Sequence, residues 1–266
     1  MSRFRTILGR VGRSPALLGV LGLVAFGGLV ELLPHTGWVK AEYFPPSSRI
    51  ARALWQVMGQ ATFRTALADT LGTWLTGLAI AVVGGVVVGV LIGSVPIVRE
   101  FTASTIEFLR PIPSVALIPG LVVLLHQRQA TLVIIVYASF WQVLVQVLYG
   151  VADVDPVTRD TARSYHLGPL RRIRYVVWPT ALPYVVTGIR LAAAVALILT
   201  ITGELIIGNP GLGKQIDLYY TALDAPSMFA LVVVTGLIGV VANTITRAAE
   251  RRVLRWHPSV RGELPV

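Results

Sequence analysis

The 266-residue chain contains no cysteine, which excludes disulfide scaffolds, thiolate metal sites and thiol nucleophiles together. Charge is scarce: 14% of side chains are charged, where a soluble domain carries roughly 25%. That is too little to cover a water-facing surface. Lys40 and Lys214 are the only lysines among 23 basic residues. The four histidines, His35, His126, His166 and His257, are scattered and suggest no metal cluster. No Gly-x-x-x-x-Gly-Lys-Ser/Thr loop occurs, so any ATP-driven step needs an ATPase on another chain. No paired carboxylate or His/Asp/Glu constellation sits near an apolar run, which argues against a membrane-embedded enzyme.

What is abundant is apolar surface. Hydrophobic residues make up 55% of the chain and the mean hydropathy is +0.72. The formal net charge of +10 would suggest nucleic acid in a soluble protein. Here it reports arginine-rich cytoplasmic loops, and no nucleic-acid partner is expected. The chain is expected to be an all-α polytopic membrane protein.

A helix crossing about 30 Å of hydrocarbon needs about 20 mostly apolar residues. Segments 15–33, 66–93, 130–149, 184–207 and 227–246 meet this. The first follows Arg3, Arg5, Arg10 and Arg13. Its apolar stretch exceeds a signal-peptide core and no Ala-x-Ala site follows, so it is read as a retained span. A sixth piece, Pro113 to Leu125, is short, and charge decides it by parity. If it crosses, sixteen arginines share one side with both termini, against six basic residues on the other. If it does not, two arginine clusters move outside, against the positive-inside bias. Starting that helix at Phe108 gives a span over 108–125, with Arg110 snorkelling to the cytoplasm. The expectation is six spans in one membrane domain covering 1–266, both termini cytoplasmic, with a cytoplasmic loop at 150–183.

The second span places Gly77, Ala81, Gly85, Gly89 and Gly93 at every fourth position. Such a stripe lets another backbone approach closely, so it is read as a packing face. In the 150–183 loop, Asp155-Pro156 is a helix start and Gly168-Pro169 a stop. The intervening 156–168 helix is too short and polar to span. Arg171, Arg172 and Arg174 follow, then Trp178-Pro179 and Leu182-Pro183. The residues alone leave two readings open, a basic headgroup-binding loop or a docking helix for a cytoplasmic protein.

Asp160-Thr161-Ala162, His166, Val176 and Trp178-Pro179 resemble the cytoplasmic signature of bacterial ABC importer permeases. That signature is Glu-Ala-Ala, three residues, Gly, nine residues, Ile, one residue, Leu-Pro. Ala162 and Pro179 match it outright, while His166 replaces its glycine and Gly168 lies two positions late. Tyr43-Phe44-Pro45-Pro46-Ser47, Arg110-Pro111-Ile112-Pro113, Asp155-Pro156, Leu182-Pro183-Tyr184, Thr187-Gly188-Ile189-Arg190, Glu204-Leu205 and Gly211-Leu212-Gly213 look like the nitrate/sulfonate/taurine branch. His126-Gln127-Arg128-Gln129-Ala130 departs from that branch, which usually has a Phe-Gly turn there.

The resemblance implies a type I ABC importer permease fold and a transport subunit rather than an enzyme. It would work as a homodimer with two cytoplasmic ATP-binding cassette subunits and an extracytoplasmic solute-binding protein. ATP and Mg would be held by the ATPase, with no cofactor on this chain. Asp160, Thr161, Ala162, Arg163, His166, Gly168, Pro179 and Pro183 would form the ATPase-coupling segment. The competing expectation is an ATPase-independent channel or ion-coupled carrier, whose inverted repeats and paired broken helices are not found.

Ionisable groups within spans are functional candidates by default. Glu204 is read as a brace for the Gly211-Leu212-Gly213 loop or an intersubunit pair, ahead of substrate contact, since a carboxylate repels an anion. Arg190 is read as a structural anchor. Gln142 and Gln146, at i and i+4 on one face, are equally fit to meet an oxyanion or to bond another helix.

Overall fold

The structure is a computed structural model and describes residues 15–256. Eleven α-helices occur among them, and no strand: α1 Pro15–Leu32, α2 Ser47–Met58, α3 Ala61–Ser94, α4 Pro96–Leu109, α5 Ile118–Leu124, α6 Gln127–Ala152, α7 Pro156–Ser164, α8 Pro169–Arg172, α9 Trp178–Ile207, α10 Leu212–Thr221 and α11 Ala225–Val253. Arg3, Arg5, Arg10, Arg13, His257 and Arg261 lie outside the described residues, as do both termini. The chain divides into two compact units, Met1–Arg64 with Ile216–Val233, and Thr65–Gln215 with Val234–Val266.

In the first unit, α1 is apolar all round and none of its residues from 17 on is buried. Its Glu31 ties α1 to α2. The carboxylate accepts from the Ser47 hydroxyl (2.8 Å), the Ser48 amide (2.8 Å) and the Ser48 hydroxyl (2.9 Å). These bonds satisfy part of the free N-terminus of α2, which has no cap from its own N-cap residue, Pro46. Phe44 meets Phe229 edge-on at 5.4 Å.

In the second unit, the glycine stripe of α3 packs on α6. A methyl added at Gly85 or Gly89 would lie 2.7 Å from the Val143 or Val147 side chain. Gly77 and Gly93 face Ile135 and Val151 in the same way. The sequence offset within each pair is the same, so α3 and α6 run parallel. Against α9 the order reverses: Gly203 meets Thr131, Gly188 meets Gln146 and Gly150 meets Ala181. The Trp74 indole donates to the Ala193 carbonyl at 3.0 Å, joining α3 to α9. Arg190 on α9 pairs with Glu250 on α11, and Leu197 meets Gly239, so these two helices are also antiparallel.

Parallel α3 and α6 require the chain between them to return from one end of the bundle to the other. The return is a broken span, α4 and the Ser114–Leu124 segment, bent by 80°. The expected single helix over 108–125 is therefore corrected. Arg110 is still helical (φ −56°, ψ −44°), but Pro111 and Pro113 have no N–H to carry the helical bonds onward, and the break falls there. α4 itself climbs from the Gly93–Val151 level to that of Tyr137, whose hydroxyl donates to the Leu109 carbonyl at 2.6 Å. The same carbonyl, at the end of α4, also accepts from the Ile112 amide at 3.2 Å.

A second correction concerns the fifth span. It does not begin at 184 after a loop. α8, a π-turn at Ile173–Val177 and α9 form a helical run over Pro169–Ile207. The ends of α3, α6 and α11 and the start of α9 thus lie together. They bring Arg99, Arg159, Arg163, Arg171, Arg172, Arg174, Arg247, Arg251, Arg252 and Arg255 to one end of this unit. Its other end carries Arg128, Lys214 and the exposed Asp69.

Candidate functional site

The connection between α6 and α9 is built from a short helix held at both ends. At the start of α7, Asp155 accepts from the Thr158 amide (2.9 Å) and the Thr158 hydroxyl (3.0 Å), with Pro156 in the first turn. These bonds, the amide first, hold the Asp155 carboxyl below its ordinary range. At the other end the His166 amide donates to the Arg163 carbonyl (2.8 Å) and the Leu167 amide to the Ala162 carbonyl (3.0 Å). This pair of bonds is the Schellman arrangement, and it places His166 in the left-handed region at φ 52°.

The helix consequently stops at Ser164, not at the expected Gly168. Gly168 has φ −61° and ψ 164° and stands at the N-cap of α8. It therefore does not take the left-handed cap role. That role belongs to His166, and a left-handed residue at that point is the physical reason for a glycine there.

Ala162 is buried (4% exposed) and seats α7 against the chain's own body. The outward face presents Val157 (72% exposed), Thr161 and Tyr165 (78%), with Leu170 (81%) just beyond. Asp160 and Arg163 pair at 3.1 Å, both exposed, so the bond contributes little. The Arg172 guanidinium donates to the Leu167 carbonyl at 2.9 Å and closes the turn. In the π-turn the Trp178 amide reaches back five residues to the Ile173 carbonyl. Pro179 follows in the first turn of α9 and Pro183 lies inside it. Pro183 has no N–H for the Pro179 carbonyl, so the rod is locally softened at that position.

At the opposite end of the unit, Glu204 is fully buried. One carboxylate oxygen accepts from the Gly213 amide (2.9 Å) and the Thr70 hydroxyl (3.0 Å). Thr70 in turn accepts from the Leu212 amide at 2.8 Å. Glu204 and Thr70 together thus hold the first two amides of α10. A Cβ at Gly211 would run into the Glu204 carboxylate, so only glycine lets the loop close over it. Arg190 and Glu250, 3.0 Å apart, are both partly shielded. They stand beside a cleft of about 510 Å³ between α9 and α11, lined also by Thr202, Asn243 and Thr246. Gln142 and Gln146 border α9 at Gly188, and neither amide has a hydrogen-bond partner among the described residues.

Residues 81–255 match the family described as "Binding-protein-dependent transport system inner membrane component". The chain belongs to that family. It is 29% identical over 224 residues to the taurine transport system permease protein TauC of Escherichia coli (strain K12), covering 82% of each chain. It is 25% identical to the putative aliphatic sulfonates transport permease protein SsuC of the same organism, covering 90% of each. A further relative, the nitrate import permease protein NrtB of Synechocystis, is 25% identical over 67% of this chain and 65% of its own. Among solved structures, a chain of the MetNI methionine ABC transporter in an inward-facing conformation superposes with a TM-score of 0.61. The match covers 79% of this chain and 98% of that one at 19% identity, which shows a shared fold.

A binding-protein-dependent permease is a multi-pass inner-membrane transport component, and the apolar helices found here suit that. Within this family frame the sequence reading missed Val157, Tyr165 and Leu170. Apolar residues at 157 and 165 on an otherwise polar helix were the available signal. It also missed Thr70, for which an isolated threonine in an apolar run gives no signal.

Proposed function

We propose that this chain is the membrane subunit of an ATP-driven importer for a small solute with an oxyanion group, such as a sulfonate, taurine or nitrate. Two copies form the pathway. The arginine-rich end and both termini face the cytoplasm, as the positive-inside bias favours. There each copy engages one of two ATP-binding cassette subunits, which hold ATP and Mg. A solute-binding protein delivers the cargo at the end where Glu204 and Thr70 fasten α10.

The observation that carries this reading is α7: a helix capped at both ends and seated by Ala162, whose exposed, otherwise polar surface carries the large apolar side chains of Val157 and Tyr165. Large exposed apolar residues at a charged end of a protein mark a partner surface. Asp160, Thr161, Arg163 and His166 rim the surface, and Gly168 starts the helical run that reaches Pro179 and Pro183. A push on α7 reaches α9 through the closed turn at Leu167–Arg172, so ATPase closure switches the pathway between its two openings.

The test is co-purification of the permease with its ATPase, using Tyr165→Glu and Leu170→Glu. Both sites are exposed, so the fold should survive while ATPase association is lost. Ala162→Glu should lose association too, but with a lowered thermal midpoint because its side chain is buried. Normal association of the Tyr165→Glu/Leu170→Glu double variant, or solute uptake by the permease without any ATPase, would overturn the reading in favour of an autonomous carrier.

A further inference from the structure

Three sides of α6 are occupied. Ile135, Val143, Val147 and Val151 meet α3, Thr131 and Gly150 meet α9, and Ile134 packs in the core beside Ile118. What remains open in the second half of this 26-residue helix is the stripe Gln142, Val145, Gln146 and Tyr149. None of the four is buried. The two carboxamides, one helical turn apart, are free of internal bonds, while the neighbouring Thr187 hydroxyl is committed to the Pro183 carbonyl at 3.0 Å. An amide facing hydrocarbon with no partner is costly, so this face is not lipid-facing in the working assembly.

We propose that Gln142 and Gln146 form a transit site for the oxyanion group of the solute. The inference rests on the importer reading above and names where in the pathway the cargo is held. Four N–H donors are available from the pair. They bind sulfonate or nitrate oxygens without placing a fixed cation in the membrane. Arg190, two residues beyond the Gly188 that the pair borders, is already bonded to Glu250 and therefore does not supply a competing trap. Neutral donors suit transport because the bound anion must also leave. The carboxamide oxygens accept from an ammonium group as well, so a zwitterion such as taurine is received by the same pair.

The experiment reconstitutes the permease with its ATPase and binding protein in vesicles and follows ATP-dependent uptake of radiolabelled taurine and nitrate. Gln142→Leu/Gln146→Leu should lower uptake about 10- to 100-fold, the size expected from losing charge-assisted bonds. Subunit association and basal ATP hydrolysis should stay at wild-type level. Gln142→Asn/Gln146→Asn, which keeps the amides, should recover part of the uptake. Unchanged uptake in the leucine double variant overturns the transit site while leaving the importer reading intact. Loss of dimer cross-linking in that variant overturns it equally, since the pair would then be a bond between subunits. If the wild-type complex takes up neither solute with ATP, the oxyanion-importer reading fails and the transit site with it.

Discussion

Thr70→Val replaces a buried hydroxyl with a methyl of nearly the same volume and leaves the shape of the site almost unchanged. The hydroxyl makes two bonds, donating to Glu204 at 3.0 Å and accepting from the Leu212 amide at 2.8 Å. Hydrogen bonds between membrane helices contribute on average about 0.6 kcal/mol, because separated helices find other partners. Here the loss also leaves an N–H at the start of α10 unpaired in a buried place, which costs about 1–3 kcal/mol. The expected destabilisation is about 2 kcal/mol, roughly thirtyfold in the equilibrium. Thr70→Ser keeps the hydroxyl and loses only a methyl, about 0.8 kcal/mol. Thermal unfolding of the purified protein in detergent gives the ranking, and hydrogen exchange at the Leu212 and Gly213 amides locates it. Those amides should exchange faster in the valine variant alone. A Thr70→Val midpoint equal to that of Thr70→Ser, with both amides still protected, would refute the claim that this hydroxyl fastens α10.

At His166, φ 52° is tolerable for histidine and costly for a β-branched residue. His166→Val should lower α7 protection by about 1–2 kcal/mol, while His166→Gly stays within about 1 kcal/mol of the parent because relief of strain is offset by glycine's greater freedom when unfolded; amide exchange over 157–167 distinguishes them. For Asp155 the folded carboxyl titrates below its unfolded value, so the cap's contribution is complete above about pH 3.9 and is lost as pH falls below it. The protection factor at Thr158, which divides out the intrinsic pH dependence of exchange, should fall through that window in the parent and stay flat in Asp155→Asn, which caps without titrating.

Much of the helical layout was readable because lipid imposes it. An apolar run long enough to cross has few alternatives, and the glycine repeat from Gly77 to Gly93 announced a close neighbour without saying which. Charge parity argued for a crossing between α3 and α6, and their parallel course requires one. What the sequence hid was local geometry decided by distant atoms. Pro111 and Pro113 fall inside the helix expected over 108–125, and neither the break at them nor the share of the crossing taken by α4 was read from the sequence. The stop of α7 was misplaced by Gly168-Pro169, because a strong breaker two residues further on outweighed a histidine whose left-handed backbone is set by its hydrogen bonds. Proline spacing near Trp178 suggested a loop, whereas a π-turn absorbs the irregularity and keeps the chain helical. For Glu204 the sequence offered three roles, and the decisive partner, Thr70, stands 134 positions away.

The interlocked glycines of α3 limit how this molecule can deform. Each recess is filled by a branched side chain of α6, so a slip of one residue along the shared axis would drive several methyl groups into backbone at once. Shear between these two rods is thereby forbidden, and they travel as a single plank. Any change of shape must instead be taken up where regular winding is interrupted, at the proline elbow before Ser114 and at the widened turn before Trp178.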